Sequence, residues 1–390
     1  MDDTLAAIRS GPAQQQPEWP DPARARQVSG ELRSRPALVR AEDLRDLRSL
    51  LAGVADRRAQ VVQAGDCAED PEECTPGYVA RKAGLLDVLA GAVRMATHLP
   101  VVRVGRIAGQ FAKPRSRPTE TVGGAELPVF RGHLVNGPEP DPDSRRPDPV
   151  RMLDCYAAAG RAMAHLGWPA LDDEHVIGPR VWTSHEALLL DYELPLVRED
   201  AEGRPFLSST HWPWIGERTN QPDGAHVALL AAVSNPVALK VGPRMDPSVL
   251  LDLCGRLDPD REKGRLTLIA RMGENAVPDR LPPLVAAVRA AGHPVIWLCD
   301  PMHGNTVSTA EGLKTRYVES LEREVRGFQC AVDSAGGVAG GLHLETTPDD
   351  VTECVTHAGE DARVGDKYTS FCDPRLNPAQ ALSLIRAWRR

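Results

Sequence analysis

Four side chains of this sequence offer metal-binding atoms of mixed kind. Cys67 supplies a thiol, His303 an imidazole, and Glu345 and Asp373 two carboxylates. A set that combines sulfur, nitrogen and oxygen donors suits Mn²⁺, Co²⁺, Fe²⁺ or Zn²⁺ better than Mg²⁺ or Ca²⁺. Spacing alone does not establish the site, because Cys67 could be a buried core thiol and His303 a residue of the DPMHGN turn.

Six basic side chains make a second set: Arg106, Lys113, Arg115, Arg218, Lys240 and Arg271. If they converge at one place, they suit a ligand that carries several phosphate or carboxylate charges. No Gly-rich phosphate loop or GxGxxG string follows an apolar run, so a nucleotide is not indicated. For any single member, a solvated loop charge is the simpler interpretation. Polar residues at nearly every predicted strand end favour a site for small anions.

Eight short apolar runs, each bounded by Gly, Pro or a charge, must position these side chains. They span residues 61–65, 101–105, 180–184, 211–216, 237–242, 266–272, 295–299 and 341–345. Helical patterns at 247–257, 281–292 and 312–328 separate several of them, which predicts parallel βα units. Eight such units predict an α/β fold of the (β/α)8 TIM-barrel type, whose active site lies at the carboxyl ends of the strands. An open doubly wound sheet is the alternative.

The sequence outside these runs predicts an N-terminal extension and one long loop. Residues 1–55 are rich in Pro, Gln, Arg and Asp, and only 41–55 shows helical periodicity. We therefore expect a partly helical extension over residues 1–55, laid on a catalytic barrel of residues 56–390. The Pro-rich stretch 114–149 predicts an irregular loop at about 108–150, of a length that is usually functional or disordered.

Composition narrows the class of protein. The 390 residues are 42% hydrophobic and 26% charged, as in folded globular proteins. A net charge of -8 disfavours nucleic acid or an anionic membrane as partner. The first residues do not resemble a signal peptide and no long apolar run is present, so a cytoplasmic location is expected. Eight cysteines without repeated short spacing predict reduced thiols rather than a disulfide scaffold or zinc knuckle.

Many strings of the sequence closely resemble class II, or plant-type, 3-deoxy-D-arabino-heptulosonate 7-phosphate (DAHP) synthases. They include GDCAE (65–69), RIAGQFAKPRS (106–116), TSHEALLL (183–190), WIGERT (214–219), NPVALKVGP (235–243), CDPMHGNT (299–306), GLKTR (312–316) and CDPRLN (372–377). The matches follow the family order over roughly residues 60–380. The resemblance implies a barrel enzyme that condenses phosphoenolpyruvate, erythrose 4-phosphate and water to DAHP and phosphate. This reaction begins the shikimate route to chorismate and the aromatic amino acids.

The resemblance also implies roles for particular residues. A divalent metal, Mn²⁺ or Co²⁺ by expectation, would be held by Cys67, His303, Glu345 and Asp373. Phosphoenolpyruvate would be bound by Arg106, Glu217, Arg218, Lys240 and Arg271, and the aldose phosphate would lie near Lys113, Pro114, Arg115, Ser116 and Glu186. Lys113, Glu217 and Lys240 are the candidate catalytic residues: Lys113 as proton donor and Glu217 as the group that orients water. A homo-oligomer is expected, and chorismate mutase is a candidate partner.

Departures from the family pattern keep alternatives open. His133 stands where the family has aspartate, Asp70-Pro71 replaces Ser-Phe, and KYTSF precedes the last motif. His133 favours an aminoDAHP synthase that uses an amino or imino analogue of erythrose 4-phosphate; a silent homologue retained as a binding partner is a third reading. The short chain resembles compact members that lack aromatic feedback elements and serve antibiotic or pigment pathways.

Cys372 precedes the expected metal ligand Asp373, which raises the question of redox control. If both residues reach the site, the metal-free protein could form a Cys67–Cys372 disulfide. Alternatively, Cys372 faces the other side of an extended segment and never meets Cys67.

Overall fold

The computed structural model describes residues 2–122, 124–168 and 180–389. Its helices are α1 (Asp2–Ser10), α2 (Pro22–Ser34), α3 (Ala41–Ala55), α4 (Pro76–Thr97), α5 (Arg151–His165), α6 (Leu190–Glu193), α7 (Ala225–Ala232), α8 (Pro247–Leu257), α9 (Val277–Ala290), α10 (Val318–Ser334) and α11 (Pro378–Ile385).

Eight parallel strands form the central sheet. They are β1 (Gln60–Gly65), β2 (Val101–Arg106), β3 (Trp182–Thr183), β4 (Trp214–Ile215), β5 (Val237–Val241), β6 (Leu266–Ala270), β7 (Ile296–Cys299) and β8 (Ala339–Glu345). They pair in the order β3-β2-β1-β8-β7-β6-β5-β4. The two edges then meet, because Trp214 N donates to His185 O and Ala187 N donates to Trp214 O, both at 3.0 Å. The predicted (β/α)8 barrel is confirmed, with a strand in each of the eight predicted runs.

The strands are mostly apolar because helices and the barrel interior cover both of their faces. Every residue of β5 and β6 is buried, for example. Close pairing also restricts side-chain size. Gly341 in β8 has φ of 148°, and a β-carbon there would collide with the carbonyl of Val61 in β1. The barrel wall at this point therefore requires glycine.

Two of the four predicted helices have the expected bounds, and two are displaced. α3 and α8 match residues 41–55 and 247–257, whereas α9 begins at Val277 instead of 281. α10 begins at Val318 instead of 312, because Lys314–Thr315 pairs with Val307–Ser308 in a hairpin. Within the predicted irregular loop, Thr119–Val122 and Ala125–Pro128 form a second hairpin.

Besides α3, the N-terminal segment contains α1 and α2, which show no clear periodicity in the sequence. The N-terminus of α2 is well defined by its capping residues. Asp21 accepts hydrogen bonds from the backbone N–H groups of Ala23 and Arg24, and Pro22 occupies the first helical position. The segment is fastened to the residues after β3 through Asp191, which pairs with Arg9 at 3.1 Å and accepts from Trp19 Nε1 at 2.8 Å. Among the described residues, no helix has the length and apolar character needed to cross a membrane.

Candidate active site and metal centre

A cavity of about 610 Å³ opens where the barrel strands end. All ten residues predicted to bind substrate line it: Arg106, Lys113, Pro114, Arg115, Ser116, Glu186, Glu217, Arg218, Lys240 and Arg271. The predicted ligands His303 and Asp373 line it as well, and Cys67 and Glu345 lie buried beneath it. Residues from all eight strand ends, from the long loop and from the segment of Asp373 therefore meet at one site.

Three of the four predicted metal ligands form one compact group at the bottom of the cavity. The donor atoms of Cys67, Glu345 and Asp373 all lie within 4.8 Å of one another. His303 stands at the edge of this group, with Nε2 3.2 Å from Glu345 Oε1 and Nδ1 2.8 Å from Asp300 Oδ2. Asp300 thereby orients the imidazole so that Nε2 faces the group, the usual arrangement for a metal-bound histidine. The donor set fits a divalent transition metal.

Lys113 reaches the same group from the long loop. Its Nζ lies 2.8 Å from Cys67 Sγ, 3.0 Å from Asp373 Oδ2 and 3.3 Å from Glu345 Oε1. Burial disfavours a charged ammonium, but Cys67, Glu345 and Asp373 outweigh it and hold the pKa of Lys113 well above its ordinary value. Lys113 is therefore a cation beside the expected ligands.

Arg316 belongs to this group, although strand-end reasoning missed it. It is fully buried, and its guanidinium donates to Glu345 Oε2 at 2.8 Å and to the carbonyl oxygen of Pro374, next to Asp373. One side chain thus ties together the segments of two predicted ligands. Arg316 lies between a hairpin and α10, so only the GLKTR string of the family resemblance marked it.

The carboxylate of Glu345 contacts three cationic side chains and one imidazole. Besides the contacts with Lys113, Arg316 and His303, it accepts from Arg106 NH2 at 3.1 Å. Burial would raise the pKa of Glu345, but His303, Lys113 and Arg316 hold it well below the usual value. Glu345 is therefore ionised, as a metal ligand must be.

One wall of the cavity carries paired charges. Lys240, at β5, forms a buried ion pair with Asp300, and burial lowers the pKa of Lys240 to about 8 despite that partner. Arg271, which follows β6, pairs with Glu217 and donates to His303 O at 2.9 Å. A β-carbon at Gly242 would collide with Glu217, so this glycine leaves room for the carboxylate.

Glu186 differs from the other acids because its Oε1 is buried and has no hydrogen-bond partner among the described residues. Burial raises its pKa, although Lys113 and Lys240 oppose the shift. A β-carbon at Gly216 would collide with Oε1. A buried oxygen of this kind that lines a cavity is suited to a polar group of a ligand.

The upper edge of the cavity is held by fewer contacts. Arg218 NH2 donates to Ser116 Oγ at 2.6 Å. Arg115 pairs with Glu120 at 3.1 Å, and its NH1 lies 3.4 Å from Cys372 Sγ. These side chains project from loops rather than from strands.

His133 does not line the large cavity. It lies in a separate pocket of about 330 Å³ with Asp70, Pro71 and Phe371, and its Nδ1 is 3.2 Å from the carbonyl oxygen of Glu69. The residues at which the sequence departs from its family therefore meet away from the substrate cavity. His133 makes no contact in the large cavity that would favour an amino or imino substrate.

All eight cysteines are free thiols. Cys372 nevertheless lies near Cys67, whose side chain, together with the positive charges of Arg115 and Lys113, lowers the pKa of Cys372. Formation of a Cys67–Cys372 disulfide in metal-free protein stays a prediction.

The barrel and its cavity define the class of protein: an enzyme that acts on small anions. The sequence model of the Class-II DAHP synthetase family matches residues 3–168 and 161–387. A probable phospho-2-dehydro-3-deoxyheptonate aldolase of Pseudomonas fluorescens is 56% identical over 390 residues, covering 100% of this chain and 98% of that protein. The phospho-2-dehydro-3-deoxyheptonate aldolase of Streptomyces coelicolor is 40% identical over 425 aligned residues, covering 96% and 94%. The chain belongs to the class-II DAHP synthetase family.

A solved structure supports the fold. The phospho-2-dehydro-3-deoxyheptonate aldolase of Francisella tularensis SCHU S4 superimposes with a TM-score of 0.53 over 94% of this chain and 97% of that one. At 14% identity, this likeness concerns the fold alone.

Proposed function

We propose that this chain is a DAHP synthase that condenses phosphoenolpyruvate with erythrose 4-phosphate and water, releasing phosphate. One observation carries the proposal: all ten predicted substrate-binding residues line a single cavity above the Cys67, Glu345 and Asp373 group. A cationic cavity in an acidic protein suits two substrates that together bring two phosphates and one carboxylate.

Cys67, His303, Glu345 and Asp373 would hold the metal, with Mn²⁺ or Co²⁺ as the proposed ion. When bound, a divalent ion supplies Lewis-acid polarisation of the aldehyde carbonyl. The protein groups around it fix the ligands: Asp300 orients His303, and Arg316 and Arg106 hold Glu345. A thiolate and an imidazole are poor ligands for a hard ion such as Mg²⁺.

Arg106, Arg218, Lys240 and Arg271 would bind the phosphate and carboxylate of phosphoenolpyruvate. They fix its C3 against the aldehyde carbon, which lowers the entropic part of the barrier. Glu217, held by Arg271, would orient the water that adds at C2. The new bond joins C3 of phosphoenolpyruvate to C1 of the aldose, and phosphate leaves C2 after water adds there.

Lys113 would deliver the proton that the aldehyde oxygen takes up as the carbon–carbon bond forms. Its pKa, held high by the neighbouring anions, keeps that proton on Nζ at neutral pH. Pro114, Arg115 and Ser116 would receive the aldose phosphate at the upper edge of the cavity, and the unpartnered Oε1 of Glu186 would hold a hydroxyl group.

Two variants test these roles. Lys113→Met should lower kcat by about 100-fold or more, in the range reported for loss of a general acid. Glu217→Gln should lower kcat while the aldose KM changes little. Lys263→Met, at an exposed lysine that pairs with Asp56, is the control. Turnover of Lys113→Met within a few-fold of the wild type would remove Lys113 from the proton-donor role.

We also propose further properties of this enzyme. They are a cytoplasmic location, a homo-oligomer, chorismate mutase as partner, service in secondary metabolism, and rates unchanged by phenylalanine, tyrosine and tryptophan at millimolar levels. No contact described above favours the amino or imino substrate or a silent homologue over DAHP synthesis.

A further inference from the structure

The N-terminal segment reaches the upper edge of the cavity through Gln15. Its Oε1 accepts a hydrogen bond of 2.8 Å from the backbone N–H of Arg115, in the loop proposed to receive the aldose phosphate. The guanidinium of Arg131 donates to the carbonyl oxygen of Gln15, and the carbonyl of Arg131 accepts from Lys113 N at 2.9 Å. Gln15 therefore holds the 113–116 loop both directly and through Arg131.

The next residue fastens the same turn to a second wall of the cavity. Gln16 Nε2 donates to Leu188 O at 2.9 Å, and Gln16 Oε1 accepts from Leu190 N at 3.0 Å. Leu188 lies two residues after Glu186, whose carboxylate lines the cavity. The pair Gln15–Gln16 thus joins the Arg115 loop to the Glu186 segment, more than sixty residues apart in sequence.

The backbone at this turn is unusual. Gln15 has φ of 63°, a left-handed conformation that residues with a β-carbon adopt at a cost in free energy. The turn is fixed upstream as well, because Ala225 N donates to Pro12 O at 2.9 Å. Glycine would adopt this φ without strain, but it has no side chain that could bond to Arg115 as Gln15 does.

We infer that Gln15 is a positioning residue for the aldose phosphate: its amide oxygen fixes the Arg115 backbone and so sets the height of the 113–116 loop above the metal centre. The inference rests on the proposed function, because it assumes that this loop binds the aldose phosphate. The N-terminal segment would then contribute to substrate binding by positioning the 113–116 loop. Gln15 itself touches neither substrate nor metal and acts through Arg115.

Steady-state kinetics with each substrate varied in turn test the inference. Gln15→Met removes the acceptor at similar volume, and loss of one hydrogen bond of about 1 kcal/mol should raise the KM for erythrose 4-phosphate about five-fold. The KM for phosphoenolpyruvate should stay within about two-fold, because Arg106, Lys240 and Arg271 make no hydrogen bond or ion pair with the described residues of this loop and only Arg218 touches it, through Ser116. Gln15→Asn keeps a residue that tolerates left-handed φ but is too short to reach Arg115, so it should behave like Gln15→Met. The neighbouring exposed Gln14, changed to Met, is the matched control.

The outcomes separate the inference from the proposed function. A selective rise in the aldose KM in both Gln15 variants, with wild-type thermal stability and an unchanged Gln14→Met, supports it. Equal changes in both KM values, no change in either, or a Gln15→Asn variant indistinguishable from wild type would overturn it. If wild-type enzyme released no phosphate from the two substrates, the proposed function itself would fail.

Discussion

The bottom and the upper edge of the cavity are built differently. At the bottom, Glu345 is fully buried and contacts three cationic side chains, Arg106, Lys113 and Arg316, and the imidazole of His303. At the upper edge, the contacts of Arg115, Ser116 and Arg218 come from loops, and the Arg115 backbone depends on one amide oxygen of Gln15. The bottom is thus fixed by many partners and the upper edge by few.

We relate this difference to the different roles proposed for the bottom and the upper edge of the cavity. Groups that must hold a metal and an aldehyde in one geometry are held by several partners at once, because small displacements are costly there. The groups proposed to bind the phosphate of erythrose 4-phosphate, at the upper edge, need only approximate placement and can lie on loops. Changes at the bottom should therefore reduce kcat, whereas changes at the upper edge should alter one KM.

The largest effect is expected at the bottom, from Glu345→Gln. The neutral amide leaves the buried cations around it less compensated and removes a proposed ligand. Loss of an outer partner of a metal site typically costs 10–100-fold, so loss of the ligand itself should exceed about 100-fold in kcat. Turnover with bound metal measured by mass spectrometry checks this, and Glu311→Gln at an exposed position is the control. Wild-type metal content and rate would refute the placement of the centre.

Arg316→Lys should have the next largest effect. A lysine keeps the positive charge, but its single ammonium group cannot replace both Arg316 NH1, which donates to Glu345 and the Pro374 carbonyl, and Arg316 Nε, which donates to Thr306. Metal affinity should fall about 10–100-fold, as expected for an outer partner that orients ligands. Titration of metal-stripped protein with Mn²⁺ measures the change. Arg326→Lys, on the exposed side of α10, is the control, and equal affinities in the two variants would remove Arg316 from this role.

A smaller effect should follow from Gly216→Ala, on the wall between the two regions. The added methyl group would displace the carboxylate of Glu186 rather than backbone, so stability should change little. Since a misplacement of an ångström can cost about 100-fold, a loss of about ten-fold in kcat/KM for erythrose 4-phosphate is expected. Gly53→Ala, in α3 where a β-carbon meets no neighbour, should leave the rate unchanged. An equally active Gly216→Ala would exclude a role for Glu186.

The smallest effect concerns pH. Burial lowers the pKa of Lys240 to about 8, and a lysine is charged below its pKa and neutral above it. If charged Lys240 binds phosphoenolpyruvate, kcat/KM for this substrate should be level below pH 7.5 and fall about five-fold between pH 8 and 9. In Lys240→Arg the guanidinium stays charged, so the residual activity should show no such fall. A decline that persists in Lys240→Arg would assign the titration to another group.

The sequence predicted the barrel because each buried strand is a short apolar run with Gly, Pro or charge at its ends. It also predicted which polar residues share the cavity, since the strands of a barrel end at one face. Arg316 was not predicted in this way because it follows a small hairpin and not a strand of the barrel. The bond between Gln15 and Arg115 spans 100 residues and leaves no periodic signal. The placement of His133 in a separate pocket also depends on tertiary packing, which leaves no local signal in the sequence.

Cys67, His303, Glu345 and Asp373 are proposed to hold a metal on which DAHP synthesis depends. Phosphate release from phosphoenolpyruvate and erythrose 4-phosphate, measured with and without EDTA, shows whether synthesis needs that metal. We expect phosphate release by untreated enzyme, loss of activity in excess EDTA, and recovery with Mn²⁺ or Co²⁺ that exceeds recovery with Mg²⁺. Undiminished release in excess EDTA, above all by Cys67→Ala, would contradict this proposal.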